Sequence, residues 1–406
     1  MPPEFIPSSP LGGSGFLAPP DLVMAARFTF RVSSFGFGAA FTGLPQFTVT
    51  KAASSETVQW GAGLVFDVSF LAGVANTIMW GRPDDVRNGG LILDGASTQL
   101  VTAPRNFGTA NWTLGSGGVR VQVPAQTTPF GTTNAWRLDA TSGNFAVEET
   151  TPNGSAGVVT ASAYVLSANT AAPGFNMLLS PATRVANNGG AGTAWGRLAA
   201  TGTAASTSAL APVDGRDMTA FGGLSAGART AYVDLAQREA LPFATEWFPS
   251  GTRPARYLTM GAAYISPFIS GGQLGMELVY APRGAVGYTG TAYLWWMDAG
   301  NYVALNCATG VLTVRVGGVN NTTSPVAWSA LEELRFFIQF GGGLPTVVSL
   351  LRAGSGVTKC SITGSPLGTV TAANANILAD NANGHVYGWL YDINFAQPRR
   401  QPSWAV

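Results

Sequence analysis

From Arg27 onward, apolar and β-branched residues come in short runs that alternate with polar positions and stop at Gly, Asn, Asp or Pro. A period of two between such breakers is the pattern of half-buried strands. It predicts strands at Phe28-Thr-Phe-Arg-Val32, Gln46-Phe-Thr-Val-Thr50, Leu64-Val-Phe-Asp-Val-Ser-Phe70 and Val119-Arg-Val-Gln-Val123. Further along it predicts Tyr293-Leu-Trp-Trp-Met297, Tyr302-Val-Ala-Leu-Asn306 and Val311-Leu-Thr-Val-Arg-Val316. Turn signals recur at the spacing of β-sandwiches and jelly rolls. Helical periodicity is nearly absent. Ser329-Ala-Leu-Glu-Glu-Leu reads as one short helical turn, and Asp234-Leu-Ala-Gln-Arg-Glu-Ala is too short to assign between helix and strand.

The expected fold is therefore all-β: an extended arm and a small β region, followed by two tandem jelly-roll or β-sandwich domains. Residues 1–26, rich in Pro, Gly and Ser, read as an extended arm that orders on a partner. Residues 27–104 form an N-terminal β region, 105–250 a first sandwich, and 251–406 a second sandwich with a short Pro/Arg tail.

Composition narrows the chemistry. Charged residues make up only 11% of the chain, the net charge is +1, and Gly accounts for 52 of the 406 residues. A near-neutral chain lacks the basic footprint of a nucleic-acid binder. One histidine, His385, and two distant cysteines, Cys307 and Cys360, do not make a Cys/His zinc site. No run of about 20 apolar residues is present, so no membrane insertion is expected. The opening MPPEFIPSSPLGGSGFLAPPD has neither a basic n-region nor an apolar h-region, so no secretion signal is expected.

Four stretches carry a resemblance. They are Phe47-Thr-Val-Thr-Lys-Ala-Ala-Ser-Ser-Glu-Thr-Val58; Gly89-Gly-Leu-Ile-Leu-Asp-Gly-Ala-Ser-Thr-Gln-Leu-Val101 with the following Asn106-Phe-Gly-Thr-Ala-Asn-Trp112; the segment from Ala236-Gln-Arg-Glu to Arg256; and Asn383-Gly-His-Val-Tyr-Gly-Trp-Leu-Tyr-Asp392. In this order they resemble the fibre and head-spike proteins of tailed phages and gene transfer agents. In those proteins a carbohydrate-binding-module-like jelly roll precedes a concanavalin/laminin-G-like sandwich. Asp94-Gly stands where that family carries an acidic pair, and Gln99 where it carries Asn. The resemblance implies a structural virion protein, assembled in the host cytoplasm. It implies attachment to a capsid vertex or tail through the N-terminal arm and adhesion to a host-surface glycan. It further implies a homo-oligomer, with a trimer favoured. The competing readings are a purely structural decoration or connector and, behind it, a capsule depolymerase; no enzymatic activity is expected.

Sugar binding by a sandwich needs aromatic faces for stacking and amides or carboxylates that read hydroxyls. The best cluster is Tyr293, Trp295, Trp296 and Asp298, then Asn301 and Tyr302. Strict alternation sets Tyr293, Trp295 and Met297 on one face and Leu294, Trp296 and Asp298 on the other, so one Trp belongs to the core. Trp112, Trp136, Trp195 and Trp247 are expected as core or closing aromatics, and His385 as a turn or packing residue. The adjacent acids Asp84-Asp85, Glu148-Glu149 and Glu332-Glu333 cannot form a glycosidase pair within themselves, because neighbours in a strand point apart. No cofactor is expected beyond a weakly suggested Ca²⁺ at Asp214, Asp217 or Asp298.

Overall fold

A computed structural model describes residues 24–29, 47–51, 54–58, 91–95, 97–127, 135–152, 156–168, 171–180, 183–187, 195–245, 251–253, 257–288, 290–352, 356–377 and 387–396. Their regular elements are almost all strands in antiparallel sheets, with one four-residue α-helix at Ala262–Ile265. Among the described residues no helix is long and apolar enough to cross a membrane. The chain divides into two units. One comprises Met1–Asp67, Ile78–Ala96 and Pro254–Val406; the other comprises Val68–Thr77 and Ser97–Arg253.

The unit centred on 97–253 is a jelly roll. One five-stranded sheet runs in the order Gly196–Ala204, Gly157–Ser167, Arg229–Glu239, Ala135–Ala140, Val119–Val123. The other runs Thr183–Asn187, Phe175–Ser180, Thr207–Ala211, Val147–Pro152, Thr113–Leu114. The chain crosses repeatedly from one sheet to the other, so strands distant in sequence become neighbours, as in a double Greek key. Leu138, Val159, Ala161 and Val233 from the first sheet meet Phe175, Met177 and Leu210 from the second in one core. The short Ala side chains let the two backbones approach while Phe175 and Met177 fill the gap, the large-and-small alternation that close packing requires.

The loop before the first strand closes this core. Trp112 is 1% exposed and its indole N–H donates to the Ala103 carbonyl at 2.9 Å. Phe107 lies against it, ring centroids 4.6 Å apart. Arg120 Nη1 donates to the carbonyls of Phe107 (2.9 Å) and Trp112 (2.6 Å), fixing the loop to the edge strand. Trp136 packs against the cluster from a partly buried position. Trp195 is half-buried and donates to the Thr127 carbonyl. Trp247 and His385 lie outside the described residues.

The other unit is a larger sandwich. Its seven-stranded sheet runs Met24–Thr29, Tyr387–Ala396, Gln273–Pro282, Leu334–Gly341, Val347–Arg352, Gly356–Lys359, with Leu91–Asp94 also on Tyr387–Ala396. Its nine-stranded sheet runs Ile362–Thr363, Val319–Thr323, Leu312–Val316, Asn301–Asn306, Thr291–Asp298, Ala375–Ile377, Tyr257–Met260, Phe47–Lys51, Ser54–Val58. Phe47–Lys51 and Leu91–Asp94 from the 27–104 segment therefore pair with strands of the 251–406 segment, and Ser54–Val58 pairs with Phe47–Lys51 at the sheet edge. Trp295 from the nine-stranded sheet meets Phe395 from the seven-stranded one at 5.7 Å, edge to face, and Phe395 stacks on Phe268 at 4.7 Å.

Two expectations about helices resolve differently. Asp234-Leu-Ala-Gln-Arg-Glu lies within the strand Arg229–Glu239 and pairs with Gly157–Ser167, with a bulge at Leu235-Ala236 opposite Ala163 where Leu235 takes φ 54°. Ser329-Ala-Leu-Glu makes a single turn and no helix, because Leu331 takes φ 62° and its N–H donates to the Pro282 carbonyl. Cys307 and Cys360 are both buried free thiols, and burial pushes both up from the ordinary thiol range. Such thiols react only when exposed as thiolate. A thiol reagent is expected to label neither in the native chain and both in denaturant; prompt native labelling would contradict their burial.

Candidate functional site

The candidate face is built on the hairpin of Thr291–Asp298 and Asn301–Asn306. Ala292, Leu294 and Trp295 are all buried, so the strand does not alternate strictly. The register explains this: Tyr293 opposes Ala304 and Trp295 opposes Val303, leaving Leu294 as the extra residue of a β-bulge. A bulge resets which residues share a face. Tyr293 and Trp296, expected on opposite faces, are both left half-buried, while Trp295 turns wholly inward at 0% exposure. Trp296, not Trp295, stands directly across from Tyr302.

The polar residues of the cluster hold the turn. Asp298 Oδ1 accepts from the Gly300 N–H at 2.6 Å, and both carboxylate oxygens accept from Asn301 Nδ2 at 3.0 Å. Asn301 Oδ1 in turn accepts from the Gly317 N–H at 3.0 Å, tying this hairpin to the next. That next turn needs Gly317 and Gly318, whose φ values of 59° and 83° suit a tight type I′ hairpin. The six candidate residues thus separate. Tyr293, Trp296 and Tyr302 form an outer aromatic group, Trp295 belongs to the core, and Asp298 and Asn301 brace the loops beneath it.

Tyr293 and Tyr302 meet edge to face, centroids 5.4 Å apart at 82°. One residue joins them that the sequence reading missed. Arg315 opposes Tyr302 in the next strand, and its guanidinium carbon lies 5.8 Å from the Tyr302 ring centroid. The signal was present in Leu312-Thr-Val-Arg-Val316: alternation puts Leu312, Val314 and Val316 in the core and Arg315 on the outer face. Asn376 opposes Trp296 from the other side. The register therefore lines up Asn376, Trp296, Tyr302, Arg315 and Asn320 across five strands. At about 4.8 Å per strand this is a band roughly 19 Å long. Aromatic rings flanked by amides and a guanidinium can stack on the C–H face of a sugar and bond to its oxygens.

The carboxylates weighed for metal binding or hydrolysis are engaged elsewhere. Asp214 is held by Arg216, whose Nε lies 3.0 and 2.9 Å from its two oxygens, and by Asn176. Asp217 accepts from the Thr219 N–H and hydroxyl. Glu148 and Glu149 point apart, the first to Arg216 at 2.8 Å and the second to Arg238 at 2.6 Å. Glu332 accepts from the Ser329 N–H at 2.8 Å, and Asp84-Asp85 lies outside the described residues. Among the described residues, no three of His, Cys, Asp and Glu converge on a metal position.

No family model matches the sequence, and no curated protein matches it. Among solved structures, a truncated AlyQ with CBM32 and alginate lyase domains aligns over 76% of this chain and 92% of that one at 13% identity. Its TM-score of 0.19 is too low to relate the two arrangements.

Proposed function

We propose that this chain is a structural virion component, a head spike or a tail fibre or tip, that adheres to host-surface polysaccharide through the outer face of its nine-stranded sheet. The observation that carries the adhesive role is the juxtaposition of Trp296, Tyr302 and Tyr293 on a sheet face, outside a core that Trp295 already fills. The virion role is supported by the four sequence stretches in family order. In this reading the N-terminal arm docks on other virion proteins. The chain assembles as a homo-oligomer, favoured as a trimer, because repeated weak sugar sites gain their strength from avidity.

The reading predicts that the full chain retains host envelope polysaccharide. Trp296→Ala and Tyr302→Ala each weaken that binding about tenfold, a loss of about 1.4 kcal/mol, without changing the melting temperature. The polysaccharide is expected to keep its viscosity and its number of reducing ends on long incubation, as befits adhesion rather than depolymerisation. No retention of any host envelope fraction would overturn the adhesive role. The second reading, a connector, is favoured by the commitment of Asp298 and Asn301 to turn hydrogen bonds. Electron microscopy of particles with and without the chain separates the two: a connector has its aromatic face covered by another virion chain.

A further inference from the structure

We propose that the sugar taken by this face is acidic, a glycan residue bearing a carboxylate, and that Arg315 is the residue that selects it. This rests on the reading of the Trp296–Tyr302 face as the sugar-binding surface. Two other arginines of this unit have carboxylates close by, Arg335 at 3.4 Å from Glu277 and Arg352 at 3.8 Å from Glu332, while Arg283 lies over the Trp389 ring with its guanidinium carbon 4.2 Å from the centroid. Arg315 makes no hydrogen bond or ion pair to a described residue; its guanidinium lies against the Tyr302 ring, and its Nε is buried without a partner among the described residues. The nearest acid along the hairpin, Asp298, accepts from Gly300 and Asn301 instead.

A buried Nε without an acceptor carries a desolvation cost that an acceptor on a ligand relieves. The planar fork of a guanidinium matches a carboxylate with two parallel N–H···O bonds. Charge selects among anions. Along the register row, Arg315 supplies one positive charge beside Asn376, Trp296, Tyr302 and Asn320. One cation neutralises one carboxylate, whereas a phosphate monoester carries about −1.5 to −2 at neutral pH. From Trp296 to Arg315 is two strand spacings, roughly 10 Å. A sugar stacked on Trp296 and Tyr302 thus brings a ring carboxylate, or that of the next residue, to Arg315.

The test is a glycan array of matched neutral, carboxylated and phosphorylated members, probed with the full chain, Arg315→Gln, Arg315→Lys and Trp296→Ala. The wild-type chain is expected to bind carboxylated members and lose that binding at least tenfold when their carboxyls are reduced. Arg315→Gln should lose it by the same factor, Arg315→Lys should recover part of it, and neither should shift the melting temperature. Wild-type binding to neutral or phosphorylated members equal to that on carboxylated ones would overturn the inference, and so would undiminished binding by Arg315→Gln. Either result leaves the adhesive face intact if Trp296→Ala still weakens binding about tenfold. Absence of wild-type binding to every member would overturn the adhesive reading itself, and the inference with it.

Discussion

Arg238→Ala is expected to destabilise the jelly-roll unit by about 3–5 kcal/mol, the usual result of stranding one partner of a buried ion pair. The Arg238 and Glu149 side chains are 0% and 2% exposed, with Nη2 to Oε2 at 2.6 Å. Arg238 Nη1 also donates to the Ser208 carbonyl at 2.7 Å, so one side chain bonds to two strands of the opposite sheet. Burial lowers the guanidinium pKa while Glu149 raises it, and the pair exists only because each supports the other's charge. Alanine removes the guanidinium from Glu149, which still accepts from the Thr102 N–H at 3.4 Å, and takes this donor from the Ser208 carbonyl. For a unit of this size the loss corresponds to a fall of roughly 6–20 °C in Tm. The double change Arg238→Met with Glu149→Leu should recover most of it, since matched apolar replacement of a buried pair is often neutral. Calorimetry showing Arg238→Ala within about 1 kcal/mol of wild type would mean that the pair is solvated.

The same network shows what the sequence could and could not convey. Ala236-Gln-Arg-Glu239 and Ser97-Thr-Gln99 were recognisable as stretches, but nothing in either revealed that they touch. In the fold, Gln99 Oε1 accepts from the Arg238 N–H at 3.0 Å and its Nε2 donates to the Ala236 carbonyl at 3.2 Å, while Ser97 donates to Glu239. These bonds span 137 to 142 residues. Local patterning reports which side of a strand is buried, not which distant strand lies beside it. Hence Val119–Val123 was legible as a strand, whereas the pairing of Met24–Thr29 with Tyr387–Ala396 was not.

The candidate site was legible to the same degree. The aromatic cluster was visible as composition, and so was the need for one Trp to be core. Along Asn301–Asn306 alternation sets Val303 and Leu305, both fully buried, against the half-buried Tyr302, although the small Ala304 between Val303 and Leu305 is covered too. Alternation fails along Thr291–Asp298, because a bulge adds a residue without any mark in the sequence such as Gly or Pro. Arg315 went unnoticed for another reason: it belongs to a different hairpin, and only the register brings it to Tyr302.

The bulge makes two adjacent tryptophans respond in opposite ways. Trp295→Ala removes a side chain that is 0% exposed and packs at 71° against Phe395, itself stacked on Phe268. A large-to-small change there loses transfer free energy and leaves a cavity between the sheets, about 3–5 kcal/mol. Trp295→Phe keeps most of the volume and is expected to cost less, particularly because the buried indole N–H has no hydrogen-bond partner to lose. Trp296→Ala, one residue on, removes a half-buried ring from the outer face and should cost under about 1 kcal/mol while weakening sugar retention about tenfold. Thermal unfolding and polysaccharide binding, measured on the same three variants, therefore separate. Trp295→Ala lowers Tm sharply, and any binding it loses returns on cooling well below its own Tm; Trp296→Ala melts like wild type and stays about tenfold weaker at every temperature. Strict alternation, with no bulge at Leu294, would set Trp295 beside Tyr293 and send Trp296 inward, so a larger fall in Tm for Trp296→Ala than for Trp295→Ala would refute the placement on which the whole aromatic face depends.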